Sequence, residues 1–266
     1  MTLTGGVIVA AFVVTALTGP FLVGRDPLAQ DLAQRLTAPG PGHPFGDDSL
    51  GRDVFARVIY GTRISLVAGA TVVLAATSFG ILTGTLAGWN GGWSDETLMR
   101  ITDMFLAFPS LILAMAISAI LRPNLTNALL AIAVTSWPVY ARIARAQVLS
   151  LRARDFIEAA RAEGARDVVI LTRHLIPNAL APILVQATLE VGNIILISAG
   201  LSFIGFGAQP PTPEWGLMVS EGRRFLMDQW WIATFPAIAI LLLVLGFNLV
   251  GDGVRDLLDP RLRKLT

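Results

Sequence analysis

Side chains able to do chemistry are few in this chain of 266 residues. Two histidines, His43 and His174, stand far apart, cysteine is absent, and the single lysine, Lys264, follows Arg263. A helical zinc site needs a close His pair, a thiol nucleophile needs cysteine, and a phosphate-cradling P-loop needs Lys after Gly. The sequence therefore predicts no catalytic site, no metal centre and no nucleotide-binding site of its own. His174 reads as a structural polar contact. Asp47, Asp48 and Asp53 form an acidic cluster, but beside Gly51 and Arg52 they read as caps for a helix over residues 52–60 rather than as ligands.

Two other groups of polar residues remain. Residues 155–178 read DFIEAARAEGARDVVILTRHLIPN, an amphipathic stretch with good helix formers up to Glu163, an interruption at Gly164, and a second helical pattern that runs to Pro177. Helix, turn, helix in a loop between apolar spans predicts a docking surface. Glu190 and Ser198 are eight residues apart, about two helical turns, and stand near one face. They are candidates for a translocation path, since an ionisable group in a membrane usually faces protein or a water-filled cavity. The alternative for Glu190 is a pairing with an arginine of the 155–178 loop near the membrane surface.

The elements that must hold these residues are apolar. The composition is 54% hydrophobic and only 15% charged, where soluble domains carry about 25%. A net charge of +1 leaves no overall excess of Lys and Arg to neutralise phosphates and predicts no nucleic-acid partner. Charge-poor windows predict six transmembrane helices at about 3–24, 64–90, 104–121, 126–147, 182–206 and 230–250, helical because hydrocarbon offers backbone amides no partner outside the segment. The first window has no basic leader and reads as a retained helix rather than a signal peptide. Gly80, Gly84 and Gly88, at four-residue spacing, predict a smooth face on the second helix for close packing. With the N-terminus inside, inner segments hold twelve basic residues against eight outside, and seven of the twelve lie between Arg142 and Arg173. That bias predicts a multi-pass protein with both termini and the 142–173 loop in the cytoplasm. Residues 1–266 read as one membrane domain.

Glu158, Ala159, Ala160, Gly164 and Pro177 fall at the spacings of the EAA loop, and the stretch resembles the coupling loop of ATP-binding-cassette (ABC) import permeases. The ending RHLIPN is similar to that of the peptide/nickel branch. Three further stretches resemble the second permease subunit of dipeptide and oligopeptide importers: residues 43–69 (HPFGDDSLGRDVFARVIYGTRISLVAG), 201–216 (LSFIGFGAQPPTPEWG) and 247–263 (FNLVGDGVRDLLDPRLR). Ser198, where many relatives carry Glu, and Glu214, where Ser is common, depart from the pattern.

The resemblance implies an all-α integral membrane protein of the type I (MetI-like) ABC importer permease fold. It implies a subunit that carries dipeptides or oligopeptides inward across the cytoplasmic membrane, or, in related systems, nickel chelates, haem or opines. Its partners would be a second homologous permease, one fused or two separate ABC ATPase subunits that bind ATP and Mg, an extracytoplasmic substrate-binding protein, and lipid. The ATPases would receive the EAA loop, and Glu214 and Trp215, in an outer loop, would help to dock the binding protein. An ion-coupled secondary transporter is the rival reading, with only Glu190 in its favour.

Overall fold

The computed structural model describes residues 2–258; residues 259–263 of the third motif lie outside the described residues, as do the basic residues Arg261, Arg263 and Lys264. Among the described residues the regular structure is helical: α1 Thr2–Val23, α2 Val54–Asn90, α3 Gly92–Leu106, α4 Ser110–Leu121, α5 Leu125–Leu151, α6 Asp155–Ala162, α7 Asp167–Val169, α8 Ile176–Ile204, α9 Trp215–Gly222 and α10 Trp231–Leu258. Stretches within α1, α2, α10 and the continuous helical run Asp167–Ile204 are each long and apolar enough to cross a membrane. The pair α3 and α4, bent by 90°, makes a fifth if taken as one span. The sixth long helix, α5, has 27 residues, about 40 Å, but composition alone does not mark it. Its polar Thr135, Ser136 and Tyr140 are buried in the protein, so they do not meet lipid.

The structure differs from the sequence reading at three helices. Residues 104–121 are not one straight span: α3 ends at Leu106, the chain turns at Pro109, and α4, 12 residues and about 18 Å, is too short to cross a hydrocarbon core of about 30 Å alone. Pro109 supplies no amide to continue α3 and restricts Phe108 before it. The second helix begins at Val54 rather than near 64, joining the separate helix expected over 52–60 to the span. Of the three aspartates only Asp53 caps it, accepting from the Ala56 amide at 2.8 Å. Lastly, Pro177 does not end a helix. The backbone passes through a π-helical stretch, Ile170–Leu175, in which the Ile176 amide donates to the Leu171 carbonyl five residues back. Pro177 then falls in the first turn of α8, directly after this π-helical stretch.

α2 and α5 form the centre. Gly80, Gly84 and Gly88 face Tyr140, Ala141, Ala144 and Val148 on α5, close enough that added methyl groups at Gly80 and Gly84 would collide with the α5 backbone. α8 packs against this pair through Ile183, Ile194 and Leu201, and α10 and α1 close the other side. At one end of the bundle lie the C-terminal ends of α2 and α5 with α6 and α7; at the other lie residues 24–53 and α9.

Candidate functional site

Helix α6 hangs from the bundle by its inner face. Ile157 is fully buried and Ala160 nearly so, packed with Val148 of α5 and with Ile170 and Leu175 of the π-helical stretch. Gly164 ends α6 in a Schellman motif: its φ is +80°, its amide donates to the Arg161 carbonyl at 2.9 Å, and the Ala165 amide donates to the Ala160 carbonyl at 3.0 Å. A residue with a Cβ would be strained there. The turn sends the chain back into α7, so α6 and α7 form a bent unit on one buried hinge.

The outer face of this unit carries Glu158, Ala159 and Arg161, all exposed, together with three large apolar side chains, Phe156, Val168 and Val169, that are also exposed. Ala160, expected beside Ala159 on a docking face, instead points inward. The Arg161 guanidinium lies 4.9 Å from the centre of the Trp89 ring at the end of α2. Arg152 donates to the Gly88 carbonyl at 2.9 Å, and Arg145 forms a bidentate pair with Asp95 of α3 at 2.5 and 2.6 Å. Side chains thus link α6 to α2, α2 to the end of α5, and α5 to α3. Pro177 lies beyond the bent unit, exposed at the start of α8, and His174 is half-buried, its carbonyl accepting from the Asn178 amide.

Further along α8, Glu190 is half-buried and accepts hydrogen bonds from Asn193 at 2.8 Å and Gln186 at 3.3 Å. Its partners are these amides of its own helix, and no arginine pairs with it among the described residues, which removes the second of its two sequence readings. Ser198 is buried beneath the helix surface, 4% exposed, so the two residues do not share an open face.

At the opposite end, Glu214 and Trp215 require correction as docking residues: both are buried. The Glu214 carboxylate caps α9 by accepting from the Leu217 amide at 2.8 Å, and burial pushes its carboxyl above the usual range, with hydrogen bonds from Leu217, Gly216 and Ser202 acting in the opposite direction. The Trp215 indole donates to the Val58 carbonyl at 2.9 Å and lies edge-on to Phe12. The exposed residues of this loop are Gln209, Pro210 and Pro211. Arg52 and Arg57, both buried, share Asp48 and Glu221. Pairing two buried guanidiniums with two carboxylates fastens the 24–53 loop to α9, a link between distant residues with no local signal in the sequence.

The family described as "Binding-protein-dependent transport system inner membrane component" matches residues 80–264, more than half of the chain. The chain is similar to the dipeptide transport system permease protein DppC of Alkalihalophilus pseudofirmus, 46% identical over 99% of this chain and 86% of that protein. It is also similar to the probable D,D-dipeptide transport system permease protein DdpC of Escherichia coli, 47% identical over 98% and 88%. The glutathione transport system permease protein GsiD of Pectobacterium atrosepticum is 46% identical over 85% and 75%. Among solved structures, the inward-facing MetNI methionine ABC transporter superposes with a TM-score of 0.55 at 20% identity, covering 73% of this chain and 94% of that one. An amino acid ABC transporter solved with histidines gives 0.54 at 19% identity, over 77% and 95%. These two carry the fold alone. The family and the named relatives make the chain a transport permease subunit of an ABC importer rather than an enzyme; importers of this family in general pair such a subunit with another permease, an ATPase that handles ATP and Mg, and a substrate-binding protein. The chain belongs to the family of binding-protein-dependent transport system inner membrane components, multi-pass proteins of the inner membrane.

Proposed function

We propose that this chain is one of two permease subunits of an importer that carries dipeptides or short oligopeptides into the cell, and that α6 and α7 are the part an ATPase grips. The observation that carries the coupling role is the bent α6–α7 unit, which holds Phe156, Val168 and Val169 in the open while Ile157, Ala160, Ile170 and Leu175 anchor it. Apolar side chains exposed on a charged loop fit a partner's groove. The peptide cargo rests on what the similar permeases are named for.

In this reading α6, α7 and both termini face the cytoplasm, and residues 24–53 with α9 face outward toward the binding protein. Closure of the ATPase pair on ATP pulls α6, and Arg161, Arg152 and Arg145 pass the displacement to α2, α3 and α5, shifting the population between inward-open and outward-open packings. The ATPases are either one fused chain or two separate ones. The exposed Gln209–Pro211 edge takes the outer docking role first expected of Glu214 and Trp215. Glu190, with Gln186 and Asn193, offers a polar strip for a peptide backbone in transit.

The test is peptide uptake and binding-protein-stimulated ATPase activity in the reconstituted complex, with and without Glu158→Ala combined with Gly164→Pro. Proline cannot adopt the positive φ of Gly164. Loss of uptake and of stimulation in a complex that still assembles is expected. Undiminished, stimulated uptake would overturn the assignment of α6 and α7.

A further inference from the structure

At the end of the bundle opposite α6, residues 24–53 enclose a cavity of about 320 Å³ lined in part by His43, Asp47, Asp53 and Arg25. One ligand atom from each of His43, Asp47 and Asp53 lies within 4.8 Å of the others. His43 Nδ1 is 2.9 Å from Asp47 Oδ1 and 3.7 Å from Asp53 Oδ2. A tetrahedral metal bound at about 2.0–2.2 Å sets its ligands roughly 3.3–3.6 Å apart, a separation these distances bracket.

The second observation is Asp47 itself. Its residue exposure is 0%, and while Oδ1 meets His43, Oδ2 is buried with no hydrogen-bond partner. A buried carboxylate oxygen without a donor costs free energy unless a donor or a cation reaches it. Burial pushes the Asp47 carboxyl above the usual range, offset in part by His43, with Asp53 and Asp48 adding repulsion. Asp48 is not available to share this role, since it is held by Arg52 at 2.6 Å. Asp53 uses Oδ1 to cap α2 and turns Oδ2 toward His43, where Arg25, 45% exposed, also reaches it.

We propose that His43, Asp47 and Asp53 bind one divalent transition-metal ion of the zinc class, with water completing the coordination. One imidazole and two carboxylates suit such an ion better than Ca²⁺ or Mg²⁺, which prefer all-oxygen sets. His43 is 24% exposed in its side chain, which leaves a route from solvent, and the exposed Arg25 can swing off Asp53 when the ion enters. The ion would tie the 24–53 loop to the N-terminus of α2, independent of what the permease carries.

The test uses the full chain in lipid nanodiscs, purified without a polyhistidine tag and titrated with Zn²⁺ alone by calorimetry, with thermal unfolding in parallel. We expect one Zn²⁺ per chain with micromolar or tighter affinity, a higher unfolding temperature with Zn²⁺, and affinity at least about tenfold weaker in His43→Ala and Asp47→Asn. His174→Ala should leave binding unchanged. No stoichiometric binding in the micromolar range, or binding that survives His43→Ala, overturns the proposal. Should Asp47→Asn fail to fold, His43→Ala alone decides, because its ring is partly exposed.

Discussion

Gly84 of α2 lies against the backbone carbonyl of Ala141 on α5, with the Ala144 Cβ 2.8 Å and the Arg145 amide 2.9 Å from where a Gly84 side chain would begin. Backbone atoms cannot yield as a flexible side chain does, so any larger residue must push α2 and α5 apart. Gly84→Val is expected to cost about 1–3 kcal/mol, or more if the helices cannot separate. Gly200 on α8, with open space around it, is the control, and Gly200→Ala should stay within about 0.5 kcal/mol of the parent. Thermal unfolding of both variants in one detergent checks this, and equal midpoints would mean that the α2–α5 contact is looser than described.

Glu221 bridges Arg52 at 3.0 Å and Arg57 at 3.3 Å, and both guanidiniums are 2% exposed or less. Glu221→Gln would leave two buried cations to share Asp48, and removal of one partner from a buried ionic cluster typically costs about 3–5 kcal/mol. Glu221 is 26% exposed, so the lower end applies. Arg100→Ala, which removes an exposed pair with Glu96, should cost under about 1 kcal/mol. Comparable losses in the two variants would show that the Glu221 cluster is not specially buried.

The parts of this molecule that were legible in the sequence are those governed by local chemistry. Long apolar windows become helices because hydrocarbon leaves the backbone no other partner, and the Gly80, Gly84, Gly88 spacing marks the face that meets α5 whatever the rest of the fold does. Asp53 announces the start of α2, and Gly164 announces the end of α6 through its positive φ. The break at Pro109 leaves no mark in hydropathy, which has no direction: α3 and α4 satisfy the same window straight or bent. The fate of Pro177 depends on a change from α to π register, which has no composition signal. The burial of Trp215 depends on Val58, 157 residues away, and that of Glu214 on the packing of α9, neither of which a local pattern shows. Two histidines far apart in sequence give no zinc pattern, whereas in space His43 has two aspartates beside it.

Glu214 gives a pH signature of its own. Burial raises its folded-state pKa above the unfolded carboxylate value, so the folded chain holds a proton that the unfolded chain has released. Stability from this group is therefore greatest at low pH and falls as pH rises from about 4.5 through the raised folded value, then levels off. Glu214→Gln keeps an acceptor for the Leu217 amide, removes the charge, and should flatten this part of the pH–stability curve while matching or exceeding the parent above the window. Glu214→Ala loses the cap and should cost about 0.5–2 kcal/mol at every pH. Unfolding midpoints of the three proteins from pH 4 upward would decide it; a parent curve that rises with pH across the window, steeper than that of Glu214→Gln, would refute the assignment.

Neighbouring alanines on α6 should fail in different ways. Ala160 is 7% exposed and packs with Ile157, Ile170 and Leu175, so Ala160→Leu overfills that cluster at a cost of about 1–3 kcal/mol and loosens α6 from the bundle. Ala159 is exposed on the face that also presents Glu158, so Ala159→Leu meets nothing within the chain and should leave its unfolding midpoint unchanged. If the outer face of α6 enters an ATPase groove, the added bulk at Ala159 blocks that fit, and uptake by the assembled transporter should fall while the isolated subunit stays as stable as the parent. Ala160→Leu should lower both together. Measured side by side, the pair separates docking from folding: an Ala159→Leu subunit that is stable and transports normally would exclude this face from the ATPase contact, whichever residues of the loop remain exposed.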